Sequence, residues 1–173
     1  TKVTTDTEKH VSITKYEFAE DESKEYIKYF TISNTGHPFN PDHKDEIIPG
    51  EKYILSLKLT TKAGEHLYPD AVTFNVISSP LNLLYKPNTV RVEQNTAHES
   101  QIPTIQGFKG MTYAIKSVTP EVAGFTIDET TGKISLAENT LEIGNVYKID
   151  VTVTNEYGSA DFAEAYTVTI VDI

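Results

Sequence analysis

"GNVYKIDVTVTNEYGSADFAEAYTVTIV", residues 144–171, decides the fold, because it occurs twice. Residues 50–77 read "GEKYILSLKLTTKAGEHLYPDAVTFNVI", and a shift of 94 aligns the two stretches without a gap. Gly50 falls on Gly144, Tyr53 on Tyr147 and Gly64 on Gly158. Leu55, Leu57 and Leu59 fall on Ile149, Val151 and Val153, and Phe74 and Val76 on Val168 and Ile170. In "YKIDVTVTN" the apolar Tyr147, Ile149, Val151 and Val153 alternate with Lys148, Asp150, Thr152 and Thr154. Period two sends one set to a buried face and the other to a wet face, as in an antiparallel strand. "AYTVTIV" repeats the alternation. Each copy therefore predicts a long hairpin. Its connection is expected over "NEYGSADF" in the second copy and "TTKAGEHLYP" in the first.

The repeat continues upstream with small gaps. "YFTISNTGHPF" answers "GFTIDETTGKI", pairing Phe30 with Phe125, Ile32 with Ile127 and Gly36 with Gly132. The first copy then carries an insertion, "HPFNPDHKDEIIP", before Gly50. The 173 residues thus divide into two modules, 1–80 and 81–173, with "ISSPLNL" and its Pro80 as a short linker. Short strands separated by turns, with almost no helical periodicity, predict all-β architecture and a β-sandwich in each module. In "KYEFAEDESKEYIKY", residues 15–29, the spacing allows a helical turn, but the repeat argues for strand, acidic loop, strand.

"DETTG", residues 128–132, interrupts a strand pattern. Asp128 suits an Asx-type turn and Gly132 supplies a positive φ. A structural turn is the favoured reading over a carboxylate site, with Phe125, Ile127 and Ile134 facing the core.

Composition bounds function. The net charge is −10, with 25 acidic and 15 basic residues, and Arg91 is the only arginine. An acidic surface repels nucleic acid and anionic lipid, so neither is an expected partner. There is no cysteine, which excludes disulfides, Cys-ligated zinc and thiol catalysis. No run reaches the ~20 apolar residues that span a bilayer. With no recognisable leader, the chain reads as cytosolic or as the mature part of an exported protein. Its start, "TKVTTDTEKH", looks like that of an excised fragment. A Thr-rich, cysteine-free β-protein suits a bacterial surface protein.

At "VRVEQNT", "MTYAIKSV", "GFTIDETTGKISL", "YKIDVTVTNEYGS" and "YTVTIVD" the second copy resembles the cadherin-like and immunoglobulin-like modules of bacterial surface proteins. The phrase F-x-I-D-x-x-T-G-x-I is matched by Phe125, Ile127, Asp128, Thr131, Gly132 and Ile134. In composition and tandem arrangement the chain is also similar to Bacteroidetes cell-surface proteins, glycan-binding lipoproteins among them. The resemblance implies two tandem sandwiches, export to the bacterial cell surface, and adhesion or ligand binding rather than catalysis. It implies attachment to the outer surface through parts of a longer protein. A spacer that holds another domain away from the surface is the alternative.

True cadherins hold calcium between repeats with converging carboxylates. Glu93 sits where such a ligand is placed, but "ENTLEIGN", "IQGFKG" and "ISSPLNL" lack the matching acids. Neither a metal nor a cofactor is therefore expected. His37, Asp42, His43 and Asp45 in the insertion offer zinc-type ligands, yet a polar loop kept irregular by Pro38 and Pro41 is preferred. No catalytic motif occurs.

Exposed aromatic rings carry the binding expectation, because sugars stack their apolar faces on them. Tyr157 is expected at a hairpin tip where the first copy has Ala63. Tyr68, Phe39, Tyr85 and Phe108 fall in or near predicted loops or linkers, with local packing favoured for Tyr85 and Phe108. The candidate ligand contacts are Tyr157, Tyr68 and Phe39. The expected partner is an extracellular glycan or surface protein, met by a monomer.

Overall fold

The computed structural model describes residues 12–32 and 40–172. Contacts divide the chain into one unit of residues 1–48 and 52–75, and a second of residues 49–51 and 76–173. Among the described residues the regular elements are strands and two 3-10 helices. The fold is all-β.

In the first unit β1 (Ile13–Phe18), β2 (Lys52–Thr61) and β3 (Gly64–Asn75) form an antiparallel sheet in that order. A cluster of rings fills one face. Phe30 stacks on Phe74 at 5.0 Å between centroids, and Phe18 meets both edge-on. Tyr53 is packed by Tyr26, Tyr29 and Phe30. The predicted second strand of the 15–29 segment is instead a 3-10 helix, Glu25–Tyr29. Its cause lies in the rings: one tight turn brings Tyr26 and Tyr29 onto Tyr53 together, and Tyr26 Oη donates to the Ile54 carbonyl at 3.0 Å. A strand would have sent side chains three apart to opposite faces.

The insertion also departs from expectation. Pro41 opens a second 3-10 helix, Pro41–Glu46, rather than keeping the loop irregular. Asn40 caps it, its side chain accepting from the Asp42 N–H at 3.2 Å. Proline at a first helical position loses no hydrogen bond, because that N–H has no intrahelical partner.

The second unit is a sandwich. β5 (Thr89–Glu93), β12 (Gly158–Val171), β11 (Val146–Asn155) and β8 (Thr112–Thr119) form one sheet in that order, with β5 parallel to β12. β6 (His98–Glu99), β10 (Ile134–Leu136) and β9 (Phe125–Ile127) form another. β4 (Leu81–Leu84) pairs with β7 (Thr104–Gln106). The core joins Ile149, Val151, Val153, Val168 and Ile170 to Ile134, Leu136, Tyr85, Tyr113, Tyr147 and Tyr166. Each fully buried aliphatic side chain contributes roughly 1.5–3 kcal/mol relative to exposure.

The sequence repeat is a repeat of backbone geometry. Tyr53 faces Phe74 as Tyr147 faces Val168, Leu55 faces Val72 as Ile149 faces Tyr166, and Thr61 faces Gly64 as Asn155 faces Gly158. Both hairpins break register at one place, between Leu55 and Leu57 and between Ile149 and Val151. At that bulge Asp70 has φ 49° and Glu164 φ 48°, and these two residues are also 94 apart. A side chain with positive φ is strained. The same device holds both: the Asp70 N–H donates to Ser56 Oγ at 3.0 Å and the Glu164 N–H to Asp150 Oδ1 at 2.7 Å.

The connection inside each hairpin is only two residues, Lys62–Ala63 and Glu156–Tyr157. It is shorter than the expected "TTKAGEHLYP" and "NEYGSADF", whose later residues continue the strands. Tyr68 therefore lies within β3, not at a loop.

Candidate functional site

The "DETTG" segment is a hairpin turn between β9 and β10. Asp128 Oδ1 accepts from the N–H groups of Thr131 (2.7 Å) and Thr130 (2.9 Å). Gly132 has φ 75°, and a Cβ there would lie 2.8 Å from the Tyr113 ring. The Asp128 carboxyl is held below its usual range, first by the Thr131 backbone, then by the Thr131 hydroxyl and the Thr130 backbone. These bonds turn the chain and occupy the carboxylate. Ile134 is buried, and Phe125 and Ile127 pack on the core from β9.

The β11–β12 tip is built differently from a bare turn. Asn155, buried at the end of β11, uses every part of its amide. Its Nδ2 donates to the carbonyls of Ser78 (2.8 Å) and Phe108 (3.0 Å). Its Oδ1 accepts from the Tyr157 N–H at 2.9 Å. One side chain thus fixes the backbones of Tyr157 and Phe108. Their rings meet edge to face, 5.3 Å between centroids and 87° between planes. Phe108 is half-buried, and Tyr157 stays 44% exposed. On the exposed face of the same hairpin Thr154 and Ser159 share a hydrogen bond of 2.6 Å between hydroxyls. An exposed ring with a fixed backbone and nearby hydroxyls can stack on an apolar sugar face and leave hydroxyls to bond beside it. The sequence marked Tyr157. It missed the part played by Asn155, whose only signal was its place before a turn that ends in glycine.

Tyr68 is 48% exposed on β3, next to the exposed Leu67. Phe39 lies outside the described residues, as do His37 and Pro38. Of the other loop rings, Tyr85 is core, its Oη donating to the Gly132 carbonyl at 2.6 Å, and burial pushes its phenol pKa up. His43 Nδ1 pairs with Glu46 Oε1 at 2.6 Å. Glu93 spends its carbonyl on Thr96 and Asn139, while its side chain is exposed on β5. Among the described residues no three His, Asp or Glu side chains gather as metal ligands.

A shallow pocket of about 540 Å³ lies on the first unit, lined by Glu17, Phe18, Ala19, Glu20, Lys58, Glu65 and Leu67. Glu17 is paired with Lys15 and Lys58, and Lys58 also reaches Glu65. Glu17 and Glu65 are thus charge-paired with lysines.

No curated protein sequence matches the chain significantly. Among solved structures it is similar to Drosophila N-cadherin EC1–3, with 17% identity, 91% of this chain and 55% of that chain covered, and TM-score 0.46. It is also similar to BT4661, a SusE-like surface located polysaccharide binding protein from the Bacteroides thetaiotaomicron heparin utilisation locus. There identity is 19%, coverage 94% of this chain and 36% of that one, and TM-score 0.27. An endo-fucoidan hydrolase of glycoside hydrolase family 107 shows 16% identity over 93% of this chain and 24% of that one, with TM-score 0.39. The chain spans no more than 55% of the length of these three proteins. Residues 1–76 match the family of the second Ig-like domain of BT4661, and residues 83–171 that of the third. The chain belongs to the BT4661 family of tandem Ig-like domains.

Proposed function

We propose that the chain is a non-catalytic tandem module of an exported bacterial surface protein and that it binds glycan through Tyr157. The supporting observation is the tip itself. Asn155 holds the Tyr157–Phe108 pair in place with three hydrogen bonds, and the ring remains exposed. The fold does not require that ring, because the equivalent tip carries Ala63. Family membership adds support, since BT4661 is described as a polysaccharide binding protein at the surface.

In this reading Tyr68 on β3 and Phe39 are secondary contacts, the boundary between the modules in the sequence falls at Pro80, and the chain acts as a monomer without metal or cofactor. It is carried at the cell surface by further parts of a longer protein, and an extracellular surface protein is the second class of partner. A spacer role for the first module is favoured by one observation: its tip, Thr61–Lys62–Ala63–Gly64, has no ring.

The test is a glycan array probed with the intact chain and with Tyr157→Ala. The proposal expects retention on at least one polysaccharide class and a clear loss in the variant. Equal retention of both proteins puts the binding site away from Tyr157, and retention on none leaves the spacer role for the whole chain.

A further inference from the structure

The charge around the tip specifies the ligand further. Residues 76–173 contain twelve acidic and six basic residues. Three of those six, Lys116, Lys133 and Lys148, are ion-paired to Asp161, Glu99 and Glu164. The remaining three, Lys86, Arg91 and Lys109, stand on separate segments. At the tip Lys109 follows Phe108 and Glu156 precedes Tyr157, so the local charges cancel. The other exposed polar groups of the hairpin end are the hydroxyls of Thr154 and Ser159, while the Asn155 carboxamide is buried and spent on the backbone.

A sulfated or uronate-rich polymer carries charge at every few ångströms and needs clustered Arg or Lys to hold it. The unit as a whole carries twice as many acids as bases, so no cation cluster offsets the charge of such a polymer. An uncharged sugar face needs neither counter-ions nor salt, only a ring and hydroxyl partners. We infer that the glycan bound at the Tyr157–Phe108 tip is a neutral polysaccharide. This inference rests on the glycan-binding reading of that tip and adds the ligand's chemical class.

The experiment is affinity electrophoresis of the intact chain in gels containing neutral polymers (a β-glucan, a mannan, a xylan backbone) or polyanions (heparin, chondroitin sulfate). Each is run at low salt and at roughly physiological ionic strength, about 0.15 M. The expected result is retardation by a neutral polymer that changes less than about twofold with salt. Tyr157→Ala should weaken it at least about tenfold, the size of a lost stacking anchor. Retardation by heparin or chondroitin sulfate that collapses with salt overturns the inference and leaves glycan binding standing. Neutral binding indifferent to Tyr157→Ala overturns the site. No retardation by either class overturns the glycan reading itself.

Discussion

The β2–β3 and β11–β12 hairpins share a backbone and differ at the tip. Pairing register, bulge, the positive-φ residue and its capping acceptor all recur 94 residues apart. At the first tip Thr61 Oγ1 accepts from the Ala63 N–H at 3.1 Å and contacts the Gly64 carbonyl at 3.3 Å, a local closure of the turn. At the second, Asn155 accepts from the Tyr157 N–H in the same way but also reaches out to Ser78 and Phe108. Positions that answer to backbone geometry are thus held in both copies. Those that do not are free to take on another role, and in the second copy they place a ring pair at the surface. The strand faces diverge as well. Tyr113 is 6% exposed opposite Val153, whereas Tyr16, in the same place opposite Leu59, is 43% exposed.

The comparison predicts its largest effects in the shared frame. Leu55 and Ile149 are equivalent and fully buried. Leu55→Ala and Ile149→Ala should each cost about 2–5 kcal/mol in denaturant unfolding, within the transition of the unit that carries them. A negligible loss at either position would break the equivalence of the two cores. Asn155→Ala comes next. It takes the Asn155 donor from the Phe108 carbonyl and leaves the Ser78 carbonyl with the Phe108 N–H alone, at about 1–3 kcal/mol. Thr61→Ala removes only two local, exposed bonds and should cost under about 1 kcal/mol. Equal costs would show that the second tip is no more tightly built than the first.

The bulge sharpens the comparison further. Ser56→Ala and Asp150→Ala each orphan a strained N–H, and each should cost about 1 kcal/mol, read from thermal melts. A cost at only one site would mean the two bulges are held by different means.

His98 supplies a pH dependence to the second unit. Its Nε2 shares a hydrogen bond with Tyr166 Oη at 2.7 Å, the two rings are stacked, and Tyr85 packs on Tyr166. Burial lowers the imidazole pKa, against a smaller opposing pull from Glu99, itself paired with Lys133. A depressed histidine pKa means the unfolded chain binds the proton first. The associated stability is present above the ordinary value near 6.5 and is lost as pH falls through the folded one. The melting midpoint of the second unit should therefore drop between pH 7 and pH 5, and His98→Gln should flatten that slope. An identical slope in the variant would assign the drop to carboxylates.

Much of this was legible in the chain. The alternation in "YKIDVTVTN" and its counterpart sufficed for the strands, because one buried face imposes period two. "DETTG" was readable as a turn because Asp and Gly have few other uses at that spacing. The 3-10 helices were not legible: a segment of five or six residues leaves no periodicity, and Tyr26 and Tyr29 are turned inward by rings distant in sequence. Nor was the bulge, since neither Asp70 nor Glu164 is a glycine and the strain is relieved by side chains fourteen residues away. At the site, the exposure of Tyr157 followed from the Tyr–Ala difference between the copies. The ring pair did not, because Phe108 reaches the tip only through the fold.

The most direct measurement is an exchange of tips. Glu156→Lys with Tyr157→Ala writes the first copy's turn into the second while leaving Asn155 in place. The account predicts a melting midpoint close to that of the parent, with a stability loss of about 0.5–1 kcal/mol for the Phe108 edge contact. Isothermal titration with the polysaccharide retained by the parent should show affinity reduced about tenfold or more, some 1.4 kcal/mol. Parent-like affinity in the exchanged protein, or a melting loss the size of a core substitution, would contradict it.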